Sequence, residues 1–379
     1  MYSYKEEDIN HERADDIDGI EFISLNFDAD EIVGDNIHEN YANQISINQF
    51  ISEARKEAKP HKCYYCGQKT IGFCNSHSIP AFCLRNIALN GKVYYANNFI
   101  NIPGCDTQGG INKTGTFHLL CRKCDSIIFQ EYENPKNYEK IPTSIMLSQI
   151  AMKNHLKNIA KRRVENILYK KMKKNFPHFN DLCDYHIRGT ELDLEEYTND
   201  YRKAKSANIK KNLNSFEIIY FNKLNYVIPF AFQSGLNLMY DFNGNIINNI
   251  YNMSSHCHLK EIHVCALPFK DFSIIMMFID ASIKRYINFY KQLLTFPQDT
   301  QLAIINYIIF LYSEDFYMSP NVSKKILEDK EFKRVVGQLT FAISDSPIQS
   351  SAIVAAKSTF DLNHWDHIPN LLDKTYAIV

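Results

Sequence analysis

Two cysteine pairs constrain this chain more than any other feature. Cys63-Tyr-Tyr-Cys66 and Cys121-Arg-Lys-Cys124 are both CxxC, with 54 residues between them. A CxxC on a tight turn aims two thiolates at one tetrahedral ion, and two such knuckles complete a four-thiolate zinc site. Gly67 follows the first pair and permits the tight backbone such a knuckle needs. The stretch between the pairs carries Gly91, Gly104, Gly109 and Gly110, which suits loops and short strands. A structural Zn²⁺ is the expected anchor of a segment with so little else to hold it.

The rest of the composition sets the context for those pairs. A chain of 379 residues with ten cysteines is too long to read as a small secreted disulfide scaffold, so its paired cysteines point to metal or catalysis. The remaining six (Cys74, Cys83, Cys105, Cys183, Cys257 and Cys265) are scattered and are expected to be buried thiols. The N-terminus is acidic where a signal peptide would be basic and then apolar. The longest apolar runs, Leu302 to Tyr312 and Phe272 to Ile279, fall short of the roughly 20 residues that span a bilayer. The expectation is a soluble, cytoplasmic protein with no membrane partner.

Charge is unevenly distributed. Residues 1–60 hold fifteen acids against five Lys or Arg, a balance of −10, which leaves the remainder near +9 for a net charge of −1. An acidic leader on a basic body is compatible with a nucleic-acid partner.

Patterning divides the chain into an acidic leader (1–58), a cysteine-rich segment (59–142), a basic helical segment (143–211) and a C-terminal α/β region (212–379). The leader has few apolar runs before Ile45, Ile47, Phe50 and Ile51. Between Pro142 and Pro177 there is neither Gly nor Pro, and Ile145, Ile150, Leu156, Ile159, Val164, Ile167, Leu168 and Met172 recur at helical spacing. The same stretch carries Lys153, Lys157, Lys161, Arg162, Arg163, Lys170, Lys171, Lys173 and Lys174, with Glu165 its only acid. Such a face is either solvated or, with Lys153, Lys157, Lys161, Arg162 and Arg163 leading, a phosphate-contacting surface. From Ser215 to Ile279 the runs are β-rich, and Pro229 predicts an edge position for its strand. Asp241-Phe-Asn-Gly-Asn reads as a hairpin turn, and helical patterning returns after Lys284.

Between the cysteine pairs stands Asn75-Ser-His-Ser-Ile-Pro80, and ahead of the second pair Phe117-His-Leu-Leu. Here, over about residues 61–135, the chain resembles the HNH endonucleases, in the subgroup whose ββα-metal fold is clamped by two CxxC knuckles. The resemblance implies that His77 is the general base and that Asp125, directly after Cys124, is a helix-borne ligand of a catalytic Mg²⁺ or Mn²⁺. The family's acidic residue before the histidine is Ser76 here, with Asn75 beside it, and these two are the strand-end candidates for that ion. The family's middle asparagine falls on Thr116, with His118 and Asn112 as nearby candidates for its role.

Phosphodiester hydrolysis needs an activated water and relief of the charge that grows on the leaving oxygen. A neutral His77 can take the water's proton near pH 7, because an unperturbed imidazole titrates around 6.5. Glu131 and Glu133 read as solvated acids further along that helix. His256-Cys-His258 with His263 reads as ordinary strand histidines rather than a second metal site.

The fold class expected is α+β: a zinc-clamped ββα-metal (HNH-like) module, then a long basic helix, then a mixed β-sheet and helical C-terminal domain. The expected function is a metal-dependent endonuclease acting on nucleic acid, most readily double-stranded DNA. An activating ligand or partner is expected at the C-terminal domain, and bacterial anti-phage systems supply the analogy. The alternative is a catalytically silent zinc module that binds nucleic acid or a protein.

Overall fold

The computed structural model describes residues 49–70, 72–96, 108–112, 114–175, 177, 180–254, 256–313, 315–344 and 356–378. The leader up to residue 48, with Ile45 and Ile47, and Cys105 lie outside them. The fold is mixed α+β with antiparallel sheets. Among the described residues no helix is long and apolar enough to cross a membrane.

In chain order the first elements are a helix α1 (49–57), a two-residue strand β1 (Ser76–His77), helix α2 (Ala81–Ile87), strands β2 (Lys92–Ala96), β3 (Gln108–Gly110) and β4 (Thr116–Phe117), and helices α3 (Arg122–Ile128) and α4 (Gln130–Glu133). The absence of Gly and Pro then allows the long helix α5 (Ser144–Asn175). The chain turns back through Pro177 into α6 (Asn180–Lys210), which packs along α5. Strands β5 (Phe216–Leu224), β6 (Phe230–Leu236), β7 (Ile262–Pro268) and β8 (Ser273–Asp280) follow, then α7 (Ile287–Leu293), α8 (Gln298–Tyr312), β9 (Phe316–Met318), α9 (Lys324–Leu327) and α10 (Lys330–Ser344).

Seven strands form one antiparallel sheet in the order β3-β2-β9-β6-β7-β8-β5. Both faces are covered, which is why β7 and β8 read as unbroken apolar runs rather than alternating ones. Val264, Ala266, Ile275 and Met277 pack on one side with Ile304, Ile305 and Ile308 of α8. Their neighbours Cys265, Leu267, Met276 and Phe278 pack on the other with Leu147, Ile150 and Leu156 of α5. The period of two thus sorts one run of residues between two cores.

Three details add to the sequence reading. Strands β2 and β3 come from the cysteine-rich segment, yet they extend the large sheet through β9 (Tyr94 opposite Met318). Strand β6 lies inside the sheet, between β9 and β7, and Pro229 stands just before it, where no ladder N–H is required of it. The turn at 241–245 forms with Gly244 at positive φ, but it closes only an isolated bridge between Tyr240 and Ile246.

The N-terminal half of the basic face of α5 is neither solvated nor free for phosphate, whereas Lys170 and Lys174 toward its end are exposed. Every residue from Met146 to Leu156 is buried, because this end of the helix lies between α6, α4 and the sheet. A lysine or arginine there must find acids inside the protein. Lys157 pairs with Asp315 at 3.1 Å and donates to Ser234. Lys157, with Lys161 near it, holds the half-buried Asp315 carboxyl down at about 2 against the upward push of burial. Arg162 pairs with Glu165 and with Asp193 at 2.6 Å. Arg163 donates to the Ala58 carbonyl at 2.9 Å and to Tyr64. Lys153 is the most deeply placed, with no exposed side-chain surface.

Candidate functional site

Both knuckles form and face each other. Gly67 adopts φ of 71°, and its N–H donates to the Cys63 carbonyl at 2.8 Å, closing the first turn. The second pair stands at the start of α3, with the Cys121 N–H 3.4 Å from Cys63 Sγ. The sulfurs of Cys63, Cys66, Cys121 and Cys124 all lie within 4.8 Å of one another. Four sulfurs about 2.3 Å from one Zn²⁺ would stand roughly 3.8 Å apart, so the cluster is of the right size to hold the ion.

The protonation of the thiols points the same way. Burial pushes the Cys63 thiol up, but N–H groups of Cys121, Cys66 and Tyr65 outweigh it and bring the thiol down to about 7. Cys124 is pushed the other way, by burial and by the three neighbouring thiols. Four crowded thiols cannot all ionise unless a cation sits among them. Of the remaining cysteines, Cys83, Cys183 and Cys265 are buried as expected, while Cys74 and Cys257 are half-buried.

Beside this cluster, β1 and β4 form a two-stranded antiparallel pair, Ser76 opposite Phe117 and His77 opposite Thr116, and α3 follows directly. The pair is tied to the large sheet behind it. The Ser78 hydroxyl is 3.0 Å from the Tyr317 hydroxyl on β9, and Gln233 Nε2 on β6 donates to the Ser78 carbonyl at 3.0 Å. His77 Nε2 lies 2.9 Å from the Ile111 carbonyl. That contact commits Nε2 as the N–H nitrogen and leaves Nδ1 as the basic one, with the ring held in one orientation.

Asp125 lies close to β1. Ser76 Oγ donates to its Oδ1 at 2.5 Å. The Lys153 ammonium donates to the same Oδ1 at 2.9 Å and to Ser76 Oγ at 2.7 Å. It also pairs with Glu133 Oε1 at 3.2 Å and sits 4.0 Å from the centre of the Phe129 ring. Glu133, expected from sequence to be solvated, is therefore part of this cluster. Burial raises its carboxyl above the ordinary range, against the lowering influence of Lys153.

Lys153 thus occupies the place where a divalent ion on Asp125 and Ser76 would sit. Oxygens of Asp125, Ser76 and Glu133 already surround a monovalent cation. Asn75 is turned elsewhere, its Oδ1 2.8 Å from His118 Nε2 at the exposed side of the strand pair. Burial, with Lys59 nearby, lowers the His118 imidazole. The residues present fit a zinc ion at the four cysteines and do not fit a second ion at Asp125. They therefore support no step that runs through Mg²⁺ or Mn²⁺.

Removing the lysine tests this arrangement. Lys153→Met should cost about 3 kcal/mol, because it leaves the Asp125 and Glu133 carboxylates facing each other without their cation. Adding Asp125→Asn should recover part of the loss. Denaturant midpoints for the single and double variants check both, and an unchanged Lys153→Met midpoint would show the cluster to be incidental.

His256 and His258 are not strand residues: both precede β7, and His258 pairs at the surface with Glu196 at 3.1 Å. His263 alone is on the strand, and it is buried. No family model, curated protein or solved structure matches the chain.

Proposed function

We propose that the protein hydrolyses phosphodiester bonds in nucleic acid, with His77 as general base on an HNH-like frame held by a four-thiolate zinc. One observation carries the reading: the histidine stands on a short antiparallel pair, its Nε2 committed to the Ile111 carbonyl, directly beside the helix that leaves the second cysteine knuckle. His77 Nδ1 would accept the proton of the attacking water. Zinc at the four cysteines would hold the knuckles in register and take no part in the reaction.

The surface that would meet the polyanion is not the enclosed N-terminal half of α5. Lys59, Lys62, Lys69, Arg122 and Lys123 are exposed, and they stand on or beside the two knuckles. Glu substitutions at Lys62, Lys69 and Lys123 should weaken nucleic-acid binding several-fold and reduce its salt slope by about three, one for each phosphate no longer neutralised. Fluorescence anisotropy across a salt series measures both. An unaltered slope would remove this face from the proposal.

A second reading, a silent zinc module that binds nucleic acid or a protein, is favoured by the ion pair of Lys153 with Asp125. Cleavage assays on single- and double-stranded DNA and RNA, in EDTA and in Mg²⁺ or Mn²⁺, separate the two. Cleavage that His77→Ala abolishes supports the hydrolase. No cleavage of any substrate under any condition supports the silent module.

A further inference from the structure

The strand pair that carries His77 carries a second imidazole on the same side. Side chains alternate across a strand. Ser76, Ser78 and Phe117 are buried against the protein, while Asn75, His77, Thr116 and His118 share the opposite face, each half-buried or exposed. His77 lies opposite Thr116, and two residues further along the pair the side chains of Asn75 and His118 meet at 2.8 Å. His77 and His118 are therefore diagonal neighbours, which on such a pair stand roughly 7–8 Å apart. A phosphate fits between two imidazoles at that separation, with one ring near each of the two oxygens that exchange. We propose that the substrate is RNA, cut by attack of its own ribose 2′-hydroxyl, with His77 as general base and His118 as general acid to the leaving 5′-oxygen. The inference rests on His77 being the base of the reading above, and puts the ribose hydroxyl in place of water as the group it deprotonates.

The ion pair of Lys153 with Asp125 bears on the nucleophile. A Mg²⁺-type ion would both activate a water and neutralise the leaving oxygen. With the Lys153 ammonium on the Asp125 oxygen, those two tasks fall to side chains and to the substrate. RNA holds its own nucleophile beside the phosphorus, and the 2′-hydroxyl is the group that DNA lacks. What remains is one proton to remove and one to give, which is the work of two imidazoles.

Hydrogen bonds set both rings for these roles. His77 Nε2 donates to the Ile111 carbonyl, which leaves Nδ1 to accept the hydroxyl proton. His118 Nε2 donates to the Asn75 carboxamide oxygen, so the proton that the imidazolium can give is the one on Nδ1. Burial and nearby Lys59 lower the His118 imidazole, which makes the imidazolium a stronger acid and a less populated one. Lys59 is itself exposed, and its ammonium would meet the charge on the non-bridging oxygens. In the reaction the 2′-oxygen bonds to phosphorus as the bond from phosphorus to the 5′-oxygen breaks. His77 gains one proton and His118 loses one. The products are a 2′,3′-cyclic phosphate and a 5′-hydroxyl; no water is consumed, and exchange with solvent resets both rings.

The test uses the full-length protein in EDTA with end-labelled single-stranded RNA, the same sequence as DNA, and RNA whose scissile 5′-oxygen is replaced by sulfur. A sulfur leaving group needs no proton. Wild type should cut both RNAs to a cyclic phosphate and leave the DNA intact. His118→Ala should lose roughly 10²–10⁴-fold on ordinary RNA and recover most of that loss on the sulfur-substituted RNA. His118→Gln, which still donates to Asn75, should behave alike, while His77→Ala should stay inactive on both. Cleavage of the DNA, RNA products that end in a 5′-phosphate, or equal losses by the His118 variants on both RNAs would each overturn this proposal and leave His77 as a base toward water. No cleavage of any substrate would overturn the hydrolase reading along with it.

Discussion

Cys121→Ser protein is expected to lose the zinc that a mercurial releases, and with it the order of the described elements between Cys63 and α3. Structural zinc supplies on the order of 10 kcal/mol of folding free energy in small modules. Apart from its packing on the sheet, this segment has a two-residue strand pair, short helices and loops, so little local structure would survive without the ion. Hydrogen exchange should show β1, β4 and α3 unprotected, and the loss should spread to β2 and β3, whose chain runs between the two knuckles. The centre of the sheet, β6 to β8, buried between α5 and α8, should keep its protection. Cys63→Ser should behave alike. Variants that retain the metal and normal amide protection would refute the four-thiolate site.

His77→Ala is expected to reduce cleavage by roughly 10²–10⁴-fold, the usual contribution of a positioned general base. Its half-buried ring makes a hydrogen bond to the Ile111 carbonyl, so zinc content should stay at the wild-type value and the unfolding midpoint close to it. His77→Gln, which can still donate to Ile111 but cannot take a proton, should be as inactive as the alanine variant. A His77 variant as active as wild type would remove the general base from its assigned place. Parallel reactions in EDTA and in Mg²⁺ should give equal rates, because Lys153 already occupies the Asp125 oxygen.

What was legible in the sequence is what short-range spacing determines. The two CxxC pairs, the Gly- and Pro-free run that became α5, and the four runs that became β5 to β8 all carry their evidence within a few residues. What was hidden depends on partners brought from far along the chain. A lysine on a helix looks the same whether it faces water or an acid, and Lys153 meets Asp125 and Glu133 from elements 20 or more residues earlier. A signal was present all the same: Met146-Leu-Ser-Gln-Ile-Ala-Met152 is apolar around more than one face, the mark of an enclosed helix, and a charge inside one needs a partner. Strand β9, three residues after an apolar helix, was too short to show periodicity.

The pairing of β2 with β9 has a consequence for the protein's birth on the ribosome. Tyr94 is made about 220 residues before the Met318 it must face. At 5–20 residues per second that is about 10–45 s during which β2 has a bare edge. A bare edge at that stage recruits other chains. The second knuckle, however, is complete once Cys124 emerges, so zinc can draw the ends of the 67–120 loop together long before its strands find their sheet. Metal supply during synthesis would then govern how much of the chain escapes aggregation, whatever it contributes to the finished fold.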